Sequence, residues 1–246
     1  SEDVKLWING APEDRDWTNN AYSTGMTYDL LADTTMFASY ATSFRVPNVD
    51  EFAEAEKGLS PQEGKHVEIG GRQNFAGWAE LSVAFYDIRI DDEIYYSDIN
   101  RNYADTTIRR GIETDIKLYP ADFVYLWGNY TYTDAEFESS GDTVPLVPRH
   151  TASAGMEWDI FSSWTLTFSG TYAGSSYDGN DLENNQYEKL DAYTVFDGKV
   201  IYTHNNLELY AAVHNIFNEL YSTSAYSEAY YPMPERNVAA GLQWSF

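Results

Sequence analysis

Apolar and polar residues alternate along most of the 246-residue chain. In the segment WTLTFSGTYAG, Trp164, Leu166, Phe168 and Tyr172 occupy one parity, and hydroxyl-bearing residues occupy most of the other. The same period of two runs through residues 107–118, 150–160 and 206–217. A period of two is the signal of a β-strand with two unlike faces, and helical spacing is nowhere sustained. The pattern therefore predicts an all-β protein.

Twelve strands are predicted from this alternation. They cover residues 4–9, 19–30, 35–45, 65–75, 79–96, 105–119, 122–138, 149–160, 164–177, 190–204, 206–219 and 235–246. Within the fifth strand the apolar parity changes from odd positions (81, 83 and 85) to even positions (86, 88 and 90). An extra residue in the strand would produce such a change, so a β-bulge is predicted between residues 81 and 94.

The predicted connections alternate between short and long. Short turns are predicted at Leu31–Thr34, Ala76–Trp78, Pro120–Ala121, Phe161–Ser163 and Asn205, and long polar loops at 10–18, 46–64, 97–104, 139–148, 178–189 and 220–234. Short turns on one rim and long loops on the other are typical of a transmembrane antiparallel β-barrel. Many predicted strands are also longer than those of a soluble β-sandwich, which average five or six residues.

The two faces of these strands have different predicted environments. In the last segment, RNVAAGLQWSF, the apolar parity is expected to face lipid, and it comprises Val238, Ala240, Leu242 and Trp244. The polar parity is expected to line the lumen, and it includes Arg109, Glu113, Asp115, Lys117, Thr165, Thr167, Glu208 and His214. A barrel wall with a lipid face and a solvated face accounts for both sets.

The amino-acid composition argues against several classes of function. The chain carries 39 acidic and 15 basic residues, a net charge of −24, which argues against a nucleic-acid partner because phosphates require a basic surface. Cysteine is absent, and the four histidines have no metal-binding spacing. The chain contains no GxSxG nucleophile motif. We therefore predict neither an enzyme nor a bound metal or cofactor.

Two segments resemble the TonB-dependent outer-membrane receptors. MFASYATSFRVPNVDEF is similar to a family segment that follows a barrel strand and opens an extracellular loop, with matches at Tyr40, Phe44, Arg45, Pro47, Asn48 and Glu51. The final segment, from Val213 onward, resembles the family's C-terminal signature, with matches at Val213, Asn215, Phe217, Tyr221, Pro232, Pro234, Arg236 and Phe246. The matched motif residues, including Phe44, Arg45, Asn215 and Arg236, are expected to be structural.

The resemblance implies an integral protein of the outer membrane of a Gram-negative bacterium, in contact with lipid and lipopolysaccharide. Family members have 22 strands and an N-terminal plug, so residues 1–246 are interpreted as the C-terminal portion of such a barrel. The plug and the first strands are expected outside this chain, and TonB–ExbB–ExbD would act through that part. The implied function is active import of a scarce nutrient, most often a ferric siderophore; heme, cobalamin, a copper chelate or a glycan fit almost equally well. The alternatives are a complete twelve-stranded passive porin and an adhesin or phage receptor.

Aromatic residues in the long loops are the candidate ligand contacts, because their faces stack on flat ligands while their polar tips form hydrogen bonds. With one arginine, they are Tyr95, Tyr96, Arg101, Tyr103, Tyr177, Tyr187, Tyr226, Tyr230 and Tyr231. Guanidinium groups suit planar anions, which makes Arg45, Arg101, Arg110 and Arg236 candidates for an anionic chelate. Residues 178–184, DGNDLEN, are a candidate for adventitious calcium although they lack the EF-hand pattern.

Overall fold

The computed structural model describes residues 2–8, 11–53, 55 and 59–245. In these residues the elements are β1 (Glu2–Ile8), β2 (Ala11–Trp17), β3 (Ser23–Leu31), β4 (Thr34–Arg45), α1 (Val49–Ala53), β5 (Gln62–Phe75), β6 (Ala79–Asp91), β7 (Ile94–Ser97), β8 (Ile99–Asn102), β9 (Thr107–Ala121), β10 (Val124–Phe137), β11 (His150–Phe161), β12 (Trp164–Ala173), β13 (Tyr193–His204), β14 (Leu207–His214), β15 (Ser222–Tyr226), β16 (Ala229–Pro232) and β17 (Asn237–Trp244). The all-β prediction is confirmed. Among the residues described, no helix has both the length and the apolar character needed to cross a membrane.

Eleven antiparallel strands form one sheet in the order β17-β14-β13-β12-β11-β10-β9-β6-β5-β4-β3. Neighbours in this sheet also follow one another along the chain, apart from the small hairpins inserted in two loops. Within the described residues, β17 and β3 are the two edges of the sheet, and no pairing joins them. The wall formed by this chain is therefore open on both sides.

The N-terminal segment differs from its prediction. β1 and β2 pair with each other as a separate two-stranded sheet, with a register from Glu2↔Trp17 to Ile8↔Ala11. The predicted strand 4–9 is therefore not a wall strand, and residues 11–17 are a strand and not part of a loop. Antiparallel pairing between neighbouring segments satisfies their backbone groups locally, so the charged segment APEDRDW forms a strand without a place in the wall.

The two unequal rims are confirmed. Short turns at residues 32–33, 76–78, 122–123, 162–163 and 205–206 form one rim, here called the turn rim. The other rim, here called the loop rim, consists of residues 46–61, 92–106, 138–149, 174–192 and 215–236. β6, β12 and β14 end earlier than predicted, and two of the long loops contain hairpins, β7/β8 and β15/β16. Tyr95 and Tyr96 consequently belong to a loop hairpin and not to the wall.

One face of the sheet exposes an apolar belt. Met26, Ile69, Phe85, Val238 and Leu242 are each more than half exposed. An apolar surface of this extent is foreign to soluble monomers and suits contact with lipid chains. In the last strand, Val238, Leu242 and Trp244 of the apolar parity are exposed, which is consistent with the predicted lipid face. The opposite parity carries the predicted polar set, since Glu113, Asp115 and Lys117 pair across from Thr131, Asn129 and Trp127.

The predicted bulge in β6 is wrong. The pairing of β6 with β5 runs without a shift from Glu63↔Asp91 to Phe75↔Ala79, and its pairing with β9 is equally regular. The parity that carries Phe85 continues with Asp87 and Arg89. The register shifts that do occur lie beside three short turns, between Asp29/Leu31, Val124/Leu126 and Asp159/Phe161.

An ionic zone on the outer face explains the change of parity in β6. Arg110 Nε donates to Asp87 Oδ2 at 2.8 Å, and Arg89 Nη1 donates to Glu138 Oε1 at 2.9 Å. Arg149 and Asp134 add a further pair at 3.1 Å. Ionised groups are costly in a hydrocarbon environment, so this part of the outer face suits water or headgroups and not lipid chains. The parity change in β6 therefore marks where the outer face turns from apolar to ionic, while the strand continues without a bulge.

At five places in the sheet a glycine lies directly opposite an aromatic residue whose ring leaves no room for a Cβ. The directly opposed pairs are Phe37↔Gly70, Tyr86↔Gly111, Trp127↔Gly155, Phe196↔Gly170 and Tyr210↔Gly241. In each pair a Cβ added at the glycine would collide with the opposing side chain. At Gly155 it would lie 2.5 Å from the Trp127 ring. The missing side chain leaves room for the ring to lie over the backbone, an arrangement known to support twisted sheets.

We predict that Gly155→Ala destabilises the folded wall by about 1–3 kcal/mol, because the methyl group must displace the Trp127 ring. Gly128→Ala is the matched control, since the nearest atom to its added Cβ is at 3.4 Å, an ordinary contact. The measurement is the temperature at which the folded, fast-migrating form is lost in SDS electrophoresis of the membrane-inserted protein. Equal melting of the two variants would contradict a packing role for the Trp127–Gly155 pair.

Candidate functional site

A cavity of about 300 Å³ lies among the five loops of the loop rim, each of which contributes to its lining. Aromatic rings dominate its lining, which comprises Glu51, Ile94, Tyr95, Tyr96, Asn100, Tyr103, Pro145, Leu146, Gly179 and Tyr226. The sequence analysis selected four of these residues, Tyr95, Tyr96, Tyr103 and Tyr226. We call this cavity the tyrosine pocket. Convergent apolar rings with a few polar groups are the usual composition of a ligand site.

The β7/β8 hairpin supplies one wall of the pocket. The Tyr95 and Tyr103 rings stack with centroids 4.1 Å apart, and Tyr103 packs edge-on against Phe137 at 4.9 Å. Burial raises the pKa of Tyr103 well above its usual value, and the nearby Glu93 carboxylate acts in the same direction. Tyr103 is therefore a neutral, fixed ring at the base of the hairpin.

Tyr226 supplies the opposite wall. Its ring meets Tyr96 edge-on at 5.7 Å and Tyr231 edge-on at 6.0 Å. Burial raises the pKa of Tyr226, and Tyr231 and Asp178 contribute in the same direction. Tyr96 retains 40% exposure and is the ring that remains open to solvent. The pocket thus has a packed back and one accessible aromatic edge.

An ion pair connects the β7/β8 loop to the wall. Arg109 Nη1 and Nη2 donate to the two Glu93 carboxylate oxygens at 2.9 and 2.8 Å. Thr107, which is fully buried, donates to the same carboxylate and accepts from Arg109 at 2.9 Å. A bidentate pair with an additional hydroxyl donor fixes geometry as well as charge. Arg109, predicted only as a lumen residue, therefore also holds the start of the aromatic hairpin.

Asp178 joins two loops through backbone hydrogen bonds. Ser227 and Glu228, at the turn of the β15/β16 hairpin, both have positive φ, 52° and 64°. Such a turn normally contains Asn or Gly, so this one is strained. The buried Asp178 carboxylate accepts the N–H of Ser227 at 2.8 Å, of Glu228 at 3.0 Å and of Asn180 at 2.9 Å. These bonds offset the strain and hold Tyr226 in position.

Asp181 orders the rest of the loop 174–192. Its carboxylate is fully buried and accepts backbone N–H groups from Asn185, Gln186 and Tyr187. In the segment considered for calcium, both aspartates thus direct their oxygens at N–H donors, an arrangement that fixes turns and leaves few lone pairs for a cation. No group of three or more His, Cys, Asp or Glu side chains suited to a metal occurs in the part of the chain that is described.

Leu146 was missed by the sequence analysis. It lines the tyrosine pocket with a left-handed φ of 59°, a conformation that costs energy for a branched residue. Its N–H donates to the carbonyl of Tyr177 at 3.0 Å, which ties the loop 138–149 to the loop 174–192. The sequence VPLVP around it contains no polar turn former, so no local signal indicated a strained pocket residue.

The first family motif builds a helix start. Asn48 Oδ1 accepts the N–H of Glu51 at 2.8 Å, and Glu51 Oε2 accepts the N–H of Asn48 at 2.8 Å. This reciprocal pair is a capping box at the N-terminus of α1. Arg45 Nη1 donates to both Glu51 oxygens at 2.8 and 2.9 Å. Pro47 is buried, while Phe44 is 37% exposed on the outer face.

The second motif closes the loop 215–236. The buried Asn215 accepts the N–H of Glu219 at 2.8 Å and donates to the Glu219 carbonyl at 2.8 Å. Asn218 Oδ1 accepts the Arg236 N–H at 2.8 Å, so asparagine makes this bond at the position where the family pattern has aspartate. Phe217 is 70% exposed and meets Phe196 edge-on on the outer face. Phe246 lies outside the described residues.

The remaining ligand candidates do not line the tyrosine pocket. Arg101 pairs in register with Tyr95 and donates to the Ser97 carbonyl at 3.2 Å, while Tyr230 lies beside a second cavity near Tyr221. Tyr177 and Tyr187 do not line the tyrosine pocket: Tyr177 contacts Lys189, whose Nζ lies 3.9 Å from the ring centroid.

The arginine candidates are likewise occupied. Arg110 faces outward, binds Asp87 and Glu136, and does not line the tyrosine pocket. Arg45 is held by Glu51, and Arg236 Nη1 donates to the Ile216 carbonyl at 3.4 Å.

The family model for the β-barrel of TonB-dependent receptors matches residues 3–216. The chain belongs to this family. The ferrichrome outer-membrane transporter and phage receptor of Escherichia coli K12 is 26% identical over 89% of this chain and 31% of its own length. The ferrioxamine B receptor of Salmonella typhimurium SL1344 is 26% identical over 97% of this chain and 36% of its own length.

Solved structures show the same fold. The closed form of the ferric-catecholate import receptor Fiu of E. coli K12 has a TM-score of 0.74 at 20% identity, over 99% of this chain and 40% of that one. The chain thus spans about a third of the length of the curated relatives it matches. In the family's barrel, the pocket described above lies on the rim formed by the long loops.

We predict that Asp178→Asn loosens the β15/β16 hairpin, because an amide cannot accept three N–H bonds in place of a carboxylate. The expected loss is about 1–3 kcal/mol locally, seen as a tenfold to hundredfold faster hydrogen exchange at Ser227 and Glu228 in the purified receptor. Asp191→Asn, an exposed carboxylate of the same loop, is the control and should leave both amides protected. Unchanged exchange in Asp178→Asn would remove the anchoring role.

Proposed function

We propose that this chain forms part of the wall and loop rim of an outer-membrane receptor that imports a scarce metal chelate, in the first instance a ferric siderophore, by TonB-driven transport. The observation that carries the proposal is the tyrosine pocket, where loops separated along the chain bring Tyr95, Tyr96, Tyr103 and Tyr226 together on the loop rim. The names of the relatives, a ferrichrome transporter and a ferrioxamine B receptor, support this substrate class.

The two unpaired edges of the sheet support a larger barrel. Unpaired backbone N–H and C=O groups cost several kcal/mol each in hydrocarbon, so an open sheet edge is not viable in a bilayer. β17 and β3 require further strands as neighbours, and we propose that the remainder of a family-length receptor supplies them together with a plug. A complete twelve-stranded porin would instead pair its first and last wall strands, and no such pairing occurs between β3 and β17.

The proposed role is transport and not catalysis. Rings and hydrogen-bonding groups in the pocket hold a ligand, and the plug then carries the energy-dependent step through TonB, ExbB and ExbD. The loop rim would face the exterior and the turn rim the periplasm. Lipid and lipopolysaccharide would surround the apolar belt and the ionic zone above it.

Uptake measurements test the proposal. The gene for the full-length receptor is deleted and restored in its host, and uptake of a panel of radiolabelled ferric chelates is followed with and without TonB. Receptor-dependent and TonB-dependent uptake of at least one chelate is expected. Equal solute flux with and without TonB, matched by channel activity in liposomes, would establish the passive porin instead.

We predict that Tyr96→Ala weakens binding of the transported chelate about tenfold, because it removes the exposed aromatic edge of the pocket, a contact of about 1.4 kcal/mol. Tyr187→Ala is the control: its side chain does not line the pocket, and its bond to Asp181 comes from the backbone. Binding is measured by fluorescence quenching on the purified receptor. Equal affinities for the two variants would place the ligand elsewhere.

A further inference from the structure

A groove of about 580 Å³ lies on the outer face of the wall, where β9, β10, β11, β12 and β13 run side by side. Ile116 of its lining has the same parity in β9 as Ile112, which lies directly opposite Phe85 of the apolar belt. Gly128 and Ala154 lie opposite Ile116 in the next two strands, and directly opposed residues share a face. The groove, here called the outer groove, is therefore part of the apolar belt.

The dimensions of the outer groove suit one lipid chain. Gly128 and the exposed Ala154 form its floor, and larger side chains such as Phe168 stand beside them. Along β11 the groove extends from Ala152 to Met156, about 13 Å at ~3.3 Å per residue. One leaflet contributes about 15 Å of the roughly 30 Å hydrocarbon core. The groove thus matches a chain of one leaflet and is too short for a membrane-spanning segment of another protein.

A polar cavity of about 330 Å³ adjoins the outer groove on the side of the loops. Tyr172 lines both cavities. Tyr130 of the groove has its hydroxyl oxygen 2.8 Å from Nδ1 of His150, which lines the polar cavity. We call this polar space the upper cavity. An apolar and a polar compartment are therefore continuous where the apolar belt meets the ionic zone.

The upper cavity is basic in a chain whose net charge is −24. Its described lining includes Arg149, His150 and Lys189 and contains no carboxylate. Arg149 is offset by Asp134 at 3.1 Å, so it adds hydrogen-bond donors but little net charge. Lys189 Nζ lies 3.9 Å from the Tyr177 ring centroid, and no carboxylate of a described residue lies within ion-pair distance of it. An anionic group is the complementary occupant of this cavity.

We propose that the two cavities together bind one phosphorylated lipid, with a hydrocarbon chain in the outer groove and a phosphate in the upper cavity. The phosphate accepts hydrogen bonds from the Lys189 ammonium and the Arg149 guanidinium. The proposed function places the loop rim at the exterior, and the inference rests on that orientation: the occupant is the phosphorylated lipid A of lipopolysaccharide. Lipid chains elsewhere are as apolar as the groove, so packing holds the chain and the phosphate provides selectivity.

A pair of lysine variants tests the upper cavity. Binding of purified lipid A to the delipidated full-length receptor is measured by native mass spectrometry. Lys189→Gln is expected to weaken binding about fivefold, the contribution typical of one cation beside an anionic lipid. Lys65→Gln is the control, because Lys65 lies on the same outer face but 3.8 Å from Asp91. Removing the phosphates from lipid A should weaken its binding to the unmodified receptor and abolish the difference caused by Lys189→Gln.

A pair of alanine variants tests the outer groove. Ala154→Leu fills the floor and is expected to weaken lipid A binding about threefold to tenfold, because the chain loses its packing contacts. Ala240→Leu makes the same change at an exposed alanine of β17, on the apolar parity and outside the groove, and should leave binding unchanged. Heat-dependent migration in SDS electrophoresis verifies that each variant is folded.

Equal losses in Lys189→Gln and Lys65→Gln would assign binding to overall charge and overturn the site. Unchanged binding in Ala154→Leu would overturn it as well, because the groove would then hold no chain. Phosphatidylglycerol bound more tightly than lipid A would overturn lipid A as the occupant. Lipid A binding in the expected pattern without uptake of any chelate would leave this site intact and overturn the proposed transport, whereas TonB-dependent uptake with equal lipid binding in all variants would do the reverse.

Discussion

A lipid bilayer offers no hydrogen-bond partners to a polypeptide backbone, and this constraint determines the rest of the molecule. Strands in the bilayer must therefore pair with their neighbours, and the nine strands between β3 and β17 pair on both sides in unbroken neighbour order. Because the ladder satisfies the backbone, side chains on the two faces are free to follow their solvents: apolar toward lipid and charged or hydroxylic toward the lumen. The glycine–aromatic pairs keep the ladder regular where large rings lie across it.

The loop rim is stabilised differently from the wall. Its backbone groups can form hydrogen bonds with water, and little apolar core is present to fix the loops in place. The described residues contain only small buried clusters here, one around Phe52 and Leu59 and another around Ala135, Phe137 and Val144. Order comes instead from side chains that bind backbone groups, chiefly Asp178, Asp181, Asn48 and Asn215. Asp178, Asp181 and Asn215 each satisfy two or more N–H or C=O groups that a loop would otherwise leave to solvent, and Asn48 satisfies one in its reciprocal pair with Glu51. The tyrosine pocket is consequently held by bonds within and between the loops themselves.

Alternation in the sequence was sufficient to predict the wall, because a period of two follows directly from strand geometry. It failed where a strand passes from one solvent to another: in β6 the apolar parity changes at Tyr86 although the backbone continues without a bulge. It also failed for β2, whose charged residues indicated a loop. Residue type selected the four tyrosines that line the pocket, but it selected as many loop tyrosines that do not line it, Tyr177, Tyr187, Tyr230 and Tyr231. The roles of Leu146, Asp178 and Glu93 depend on contacts between distant loops, which no local pattern contains.

Backbone groups are satisfied by strand pairing in the wall and by side chains in the loops, and the two regions therefore tolerate substitution differently. In the apolar belt one lipid-facing side chain is nearly equivalent to another, so the sequence of that face can change while the fold persists. In the loops a single carboxylate such as Asp178 holds several backbone groups of another loop, so its replacement releases all of them at once. The shape of the pocket thus depends on residues outside its lining, because Asp178 holds the turn of the hairpin that carries Tyr226.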